Sequence, residues 1–111
     1  MYKVIALLRR KPGVTLEEFA DYWKHTHAPL VRTTLPGLRK YVLNFVEAGR
    51  EGGPPAYDGM VELHFDNRES ADRALSSPAW LGDTRRASTD DFLDLDTILS
   101  IRVEEYIVPL D

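Results

Sequence analysis

The chain contains no cysteine in its 111 residues. That excludes a disulfide framework, a thiolate nucleophile and any thiolate metal site. Positive charge is also in short supply: 14 lysines and arginines face 18 aspartates and glutamates, a formal net charge of −4. Nucleic acid and anionic membrane surfaces are therefore not expected partners. The apolar run that opens the chain, Val4 to Leu8, meets Arg9, Arg10 and Lys11 at once, too short and wrongly flanked for a spanning helix or a signal peptide. A cytoplasmic location is the expectation. Glycine-rich phosphate loops, internal repeats and low-complexity segments are missing as well, and no cofactor motif is present. Histidine is sparse, with three in all. What is present, 43% hydrophobic and 29% charged residues, suits one ordinary domain over residues 1–111, burying roughly two-thirds of its unfolded surface.

Val4 to Leu8 is apolar at every position, as a strand covered on both faces would be, and Lys11-Pro12-Gly13 ends it. Thr15-Leu16-Glu17-Glu18 has the form of a capping box that starts a helix. Stepping 100° per residue from Leu16 gathers Phe19, Ala20 and Trp23 within about 60° of it. His27 falls about 20° from Leu16 and His25 about 180° away. Pro29 disfavours helical geometry at Ala28, which places His27 in or just past the last turn. Leu35-Pro36-Gly37 reads as a turn before a second strand from Leu38 to Val46. Residues 48–56 are a Gly/Pro-rich loop, followed by a third strand, Tyr57 to Phe65, with Tyr57, Gly59, Val61, Leu63 and Phe65 on one face.

Asp66 and Glu69 suggest a second capping box, opening a helix through about Ser76. Ser77-Pro78 reads as an N-cap with proline in the first helical position, beginning a short helix that carries Trp80. The segment "STDDFLDLDT", residues 88–97, reads as a solvated acidic connector. Ile98 to Val108 forms a last long strand with Leu99, Ile101, Val103 and Ile107 on one face. The order βαββαβ is the ferredoxin-like α+β pattern, a four-stranded antiparallel sheet with helices.

At the level of motifs, "LLRRKPGVTLEEFADYWKHTHAP" followed by "LPGLRKYV", then "YDGMVELHFD" and a terminal "VEEYIV", resembles the EthD domain of the dimeric α+β barrel superfamily. The likeness covers about Lys3 to Val108. It implies a protomer that pairs sheet to sheet with a second copy and keeps a pocket between its helices and its sheet. Relatives include cofactor-free cyclases, dehydratases and isomerases of aromatic or lactone compounds. The histidine of the family's Trp-x-x-x-His-x-Pro pattern corresponds to His27. Having no cysteine, the chain departs from those isomerases of the superfamily that use a thiol.

His27 is the leading candidate for chemistry, since imidazole can take and return a proton near neutrality. The plainer role is a helix-end histidine that stabilises the dipole. His25 points to the solvated side. Opposed directions on one helix prevent the pair from binding one metal ion, and no metal is expected. His64 shares a face with Asp58, Met60 and Glu62, as a carboxylate–histidine pair or as a polar ladder at a dimer seam. Tyr41 and Asn44 lie on opposite faces of their strand, so at most one of them reaches the helix-side pocket, where it would steady an oxyanion; the plainer roles are cross-strand packing for Tyr41 and an edge or seam contact for Asn44. Phe19, Tyr22, Trp23, Trp80 and Phe92 are the candidate walls for an apolar or aromatic ligand, or else plain core. The expected function is a cofactor-independent lyase, cyclase or isomerase acting on a small aromatic, polyketide-like or lactone carbonyl compound. A non-catalytic ligand-binding barrel and a cofactor-free monooxygenase are the alternatives.

Overall fold

β-branched and leucine side chains crowd both faces of Tyr2–Leu8, and this strand, β1, takes an interior place in a four-stranded sheet of order β2-β3-β1-β4. The computed structural model describes residues 1–49 and 52–111. β2 (Lys40–Phe45), β3 (Gly59–Phe65) and β4 (Leu99–Glu104) pair antiparallel with their neighbours. Residues 50 and 51 of the Gly/Pro-rich loop lie outside the described residues. The register sets Val4 opposite Leu63, and Leu63 opposite Tyr41, on the face that the helices cover. Ile5 opposes Ile101 and Leu7 opposes Leu99 on the other face, which no helix of the described residues covers.

The first helical stretch is longer than the sequence suggests. Thr15 caps α1 (Leu16–Tyr22) through a capping box with Glu18, both hydrogen bonds being 3.0 Å. A π-helical turn, Trp23–His27, follows, and α2 (Ala28–Thr34) continues the chain beyond Pro29. Proline removes a backbone donor and crowds the carbonyl four residues before it. The π turn absorbs that defect, with the Ala28 N–H reaching five residues back to the Trp23 carbonyl.

Phe19, Trp23, His27 and Val31 are all buried at a strict four-residue spacing. In a regular α-helix this series would drift by about 40° per step. The wider π turn takes up the drift and keeps the four on one face. Leu16, the reference for the helical wheel, is itself exposed.

Other expectations are corrected by local partners. Asn67, not Asp66, caps α3 (Arg68–Leu75), accepting from the Ser70 N–H at 2.8 Å. Asp66 is occupied by the Arg39 guanidinium at 2.9 Å. Ser77 caps α4 (Pro78–Leu81) as read. The acidic segment is no solvated connector: residues 88–92 belong to α5 (Asp83–Phe92), where Ser88, Thr89 and Phe92 are buried. β4 stops at Glu104 because that residue pairs with Tyr2, and the Glu105 N–H then meets the carbonyl of Met1, where β1 runs out. Ile107 therefore lies beyond the strand.

The core falls into two clusters. One joins Val4, Val31, Leu35, Leu63 and Phe65 to the small residues of α3. The other joins Leu8, Phe19, Trp23, Phe92 and Leu93. Between the two lies an apolar cavity lined by residues of both.

Candidate functional site

The cavity holds about 320 Å3 and is walled by residues of all four strands and of the helical layer. Its floor is apolar, with Val4, Ala6, Leu8, Val61 and Leu63 from the sheet. Besides the two tryptophans, polar side chains reach it from five places: His27, Tyr41, Arg85, Thr89 and Ser100. Such a cavity, apolar with a few convergent polar groups, is what small-molecule sites look like.

His27 enters from the end of the π turn and is 6% exposed. Its ring packs on Phe92 at 4.8 Å between centroids. The Nδ1 atom lies 2.9 Å from Ser88 Oγ, Ser88 Oγ lies 3.1 Å from Tyr22 Oη, and the Tyr22 hydroxyl donates to Asp91 at 3.1 Å. A carboxylate only accepts. Tyr22 therefore spends its single proton on Asp91, Ser88 donates to Tyr22, and Nδ1–H of His27 donates to Ser88. This assignment, made from the network, leaves the lone pair on Nε2. No hydrogen bond occupies Nε2, and among the described residues no fully buried side-chain polar atom lacks a partner, so Nε2 keeps access to the cavity.

Burial, aided by the nearby Arg85 charge, lowers the pKa of His27 to about 4. The imidazole is thus neutral at physiological pH, where an ordinary histidine is partly charged. Burial likewise pushes the Tyr41 hydroxyl up to about 12, against a smaller opposing effect of the Trp23 indole. Tyr41 is therefore a protonated donor throughout the working range of a cell. A neutral acceptor and a neutral donor share one apolar space, a pairing suited to moving a proton beside a carbonyl.

The other sequence-derived candidates divide. Trp23, Trp80 and Phe92 line the cavity. Phe19 is buried behind it, its ring 5.5 Å from that of Trp23 and 5.7 Å from that of Phe92. Tyr22 stands off the cavity as a link between Ser88 and Asp91. Asn44 is on the uncovered face of the sheet, where it donates to the Met60 carbonyl and to Glu62 Oε2, each at 3.0 Å. Period-two alternation makes this unavoidable once Tyr41 faces the helices.

His25 is exposed. His64 sits on the uncovered face and contacts Glu62 Oε1 at 3.1 Å. The Asn44 amide, first of all, holds the Glu62 carboxyl below its usual range. No group of three or more His, Asp or Glu among the described residues is placed to hold a metal ion.

Three residues escaped the sequence reading: Arg85, Ser88 and Thr89. They occupy the inner side of α5, a helix whose polar composition gives no apolar stripe. The signal available was the spacing of Arg85, Ser88, Thr89 and Phe92, which is helical once Phe92 is taken as its inward anchor.

A family model described as the EthD domain matches residues 11–96. An ethyl tert-butyl ether D (EthD) family protein of Bacillus halodurans C-125 superposes with a TM-score of 0.76 at 25% identity, covering 96% of this chain and 99% of its own. An EthD-like protein of Ralstonia eutropha JMP134 gives 0.71 at 21% identity, covering 93% and 89%. A dimeric protein of unknown function and ferredoxin-like fold from Bacteroides fragilis NCTC 9343 gives 0.64 at 13% identity, covering 94% and 95%. No curated protein matches the chain. No helix of the described residues is long and apolar enough to cross a membrane.

Proposed function

The chain belongs to the EthD family, and from that premise we propose that it is a cofactor-independent enzyme, a lyase, cyclase or isomerase, that moves a proton next to the carbonyl of a small aromatic, polyketide-like or lactone compound. The observation that carries this reading is the neutral His27, with Nε2 open to an apolar cavity and Nδ1 tied to the Ser88–Tyr22–Asp91 chain. Nε2 takes a proton from the carbon beside the carbonyl, and Tyr41 donates a hydrogen bond to the oxygen on which negative charge develops. The proton returns to another atom of the same compound, so no external redox partner is needed. Exposed Asp91 gives the chain of hydroxyls an outlet to solvent. Two copies pair through the uncovered sheet faces, and each keeps its own cavity.

His27 binds a side chain rather than a backbone carbonyl, which favours catalysis over a purely structural helix-end role. The test follows the imidazole nitrogens by NMR, with 2-acetylnaphthalene as a neutral aromatic ketone probe. His27 should remain neutral and protonated on Nδ1 from about pH 5 upward, given its pKa of about 4, and should shift when the ketone is added. A His27 that ignores the ketone while His25 or His64 responds overturns the reading. With a turned-over substrate in hand, His27→Gln should slow the reaction by roughly 10²–10⁴-fold.

A further inference from the structure

Among the residues that line the cavity, Arg85 is the one with a permanent charge, and no aspartate or glutamate is among them. The guanidinium stacks on the Trp80 ring at 3.9 Å. Its Nε donates to the Trp80 carbonyl at 2.7 Å, and Nη1 donates to Thr89 Oγ1 at 3.2 Å. Thr89 in turn donates to the Arg85 carbonyl at 3.1 Å. Three contacts therefore fix the plane of the fork before any ligand arrives, which removes most of the ordering cost of a long side chain.

An arginine carries five N–H donors. One on Nε and one on Nη1 are used, and both on Nη2 have no acceptor among the described residues. No carboxylate lies within ion-pairing distance of Arg85 among the described residues, and the neighbouring Arg86 adds charge of the same sign. Burial, above all, pulls its pKa down, as expected of a cation without a counter-ion. Half-buried cations are ordinarily paired. Here the Nη2 edge is left open for a ligand.

We propose that Arg85 is an anion-binding residue of this cavity and that the compound bound there carries an acidic group, a carboxylate, on an aromatic or otherwise apolar body. This rests on the cavity reading given above and narrows it to acidic ligands. The two free Nη2 donors and the remaining Nη1 donor offer the fork that a carboxylate fits. Stacking on Trp80 leaves the donor edge of the guanidinium free. Apolar walls accept the body of the ligand, and His27 and Tyr41 stand on the same cavity.

The experiment compares 2-naphthoate with 2-naphthamide, which differ in charge but hardly in shape, by calorimetric titration of the wild-type chain and of Arg85→Gln and Arg85→Lys. The wild type should bind the carboxylate at least about tenfold more tightly than the amide, the increment of one charge-assisted hydrogen bond. Arg85→Gln should lose that preference, and Arg85→Lys should keep part of it. Equal affinity of the wild type for the two probes overturns the proposal without any variant having to fold, and so does a preference that survives in Arg85→Gln. If 2-acetylnaphthalene shifts His27 while naphthoate gains nothing over naphthamide, the anion site falls and the proton-transfer reading stands. If none of the three compounds binds, both fall.

Discussion

An imidazole held at about 4 by burial and by the Arg85 charge refuses a proton in the folded chain that it accepts, near 6.5, in the unfolded one. Between those two values the unfolded state binds more protons, so stability falls as pH is lowered through the window and is insensitive to His27 above it. The whole drop is worth about 3 kcal/mol, at about 1.4 kcal/mol per pH unit. His27→Gln removes the titration. Urea unfolding at about pH 7 and about pH 4 should show the wild type losing about 3 kcal/mol more than the variant, and equal losses would mean that His27 is not buried as a neutral group. The direction of His27 was legible in the sequence, because a 100° step separates it from His25 by half a turn. Its lowered pKa was not: that depends on Phe92, Ser88 and Arg85, which are 58 to 65 positions away in the chain and meet it only after folding. Tyr41 and Asn44 show the same limit, since alternation says that they face opposite ways but only the register says which way is inward.

Secondary elements failed to announce themselves where polar residues do the packing. The strands, the Thr15 capping box and the Ser77-Pro78 start were visible because hydrophobic periodicity and cap chemistry are local properties. α5 was not, since its inward face is made of Ser88, Thr89 and Arg85 with a single aromatic anchor. The continuation past Pro29 was hidden for another reason: a π turn has no composition of its own, and it is recognised here by its effect on the Phe19–Trp23–His27–Val31 series. That series needs room on the sheet below it, and Gly59 supplies it. A Cβ at Gly59 would lie 2.6 Å from Trp23 Cζ3 and 3.2 Å from Phe19 Cζ. Trp23 and Phe19 are both 1% exposed and have little freedom to move aside. Gly59→Ala should therefore destabilise the chain by about 1–3 kcal/mol, as overpacking does. A shift of the urea midpoint with an unchanged slope would register it, whereas an unaltered midpoint would mean that the helix lies farther from β3 than described.

On the scale of the whole molecule, one layer of helices covers one face of the sheet and leaves Ile5, Leu7, Val42, Met60, Leu99 and Ile101 on the other. Leu99 and Ile101 are 49% and 48% exposed. An uncovered apolar sheet face is the kind of patch that marks an interface. Across it runs a polar line, with Lys3 3.0 Å from Glu105 and 3.7 Å from Glu62, and Glu62 bonded to Asn44 and His64. A two-fold axis through this face would bury the apolar side chains against their own copies and let the polar line set the register. Beyond β4 the chain adds Tyr106, Ile107 and Val108, which are 81%, 77% and 62% exposed. We therefore expect sedimentation at micromolar concentration to give a dimer, and a clean species of 12.6 kDa would refute it. Ile101→Glu places like charges opposite each other at such an axis and should yield monomers. Its side chain points away from the cavity, which is built within one protomer on the far side of the sheet. The monomeric variant should therefore still show a neutral His27 that responds to 2-acetylnaphthalene. Loss of that response on dissociation would mean that the second copy shapes the cavity, and that a site complete within one chain is the wrong description.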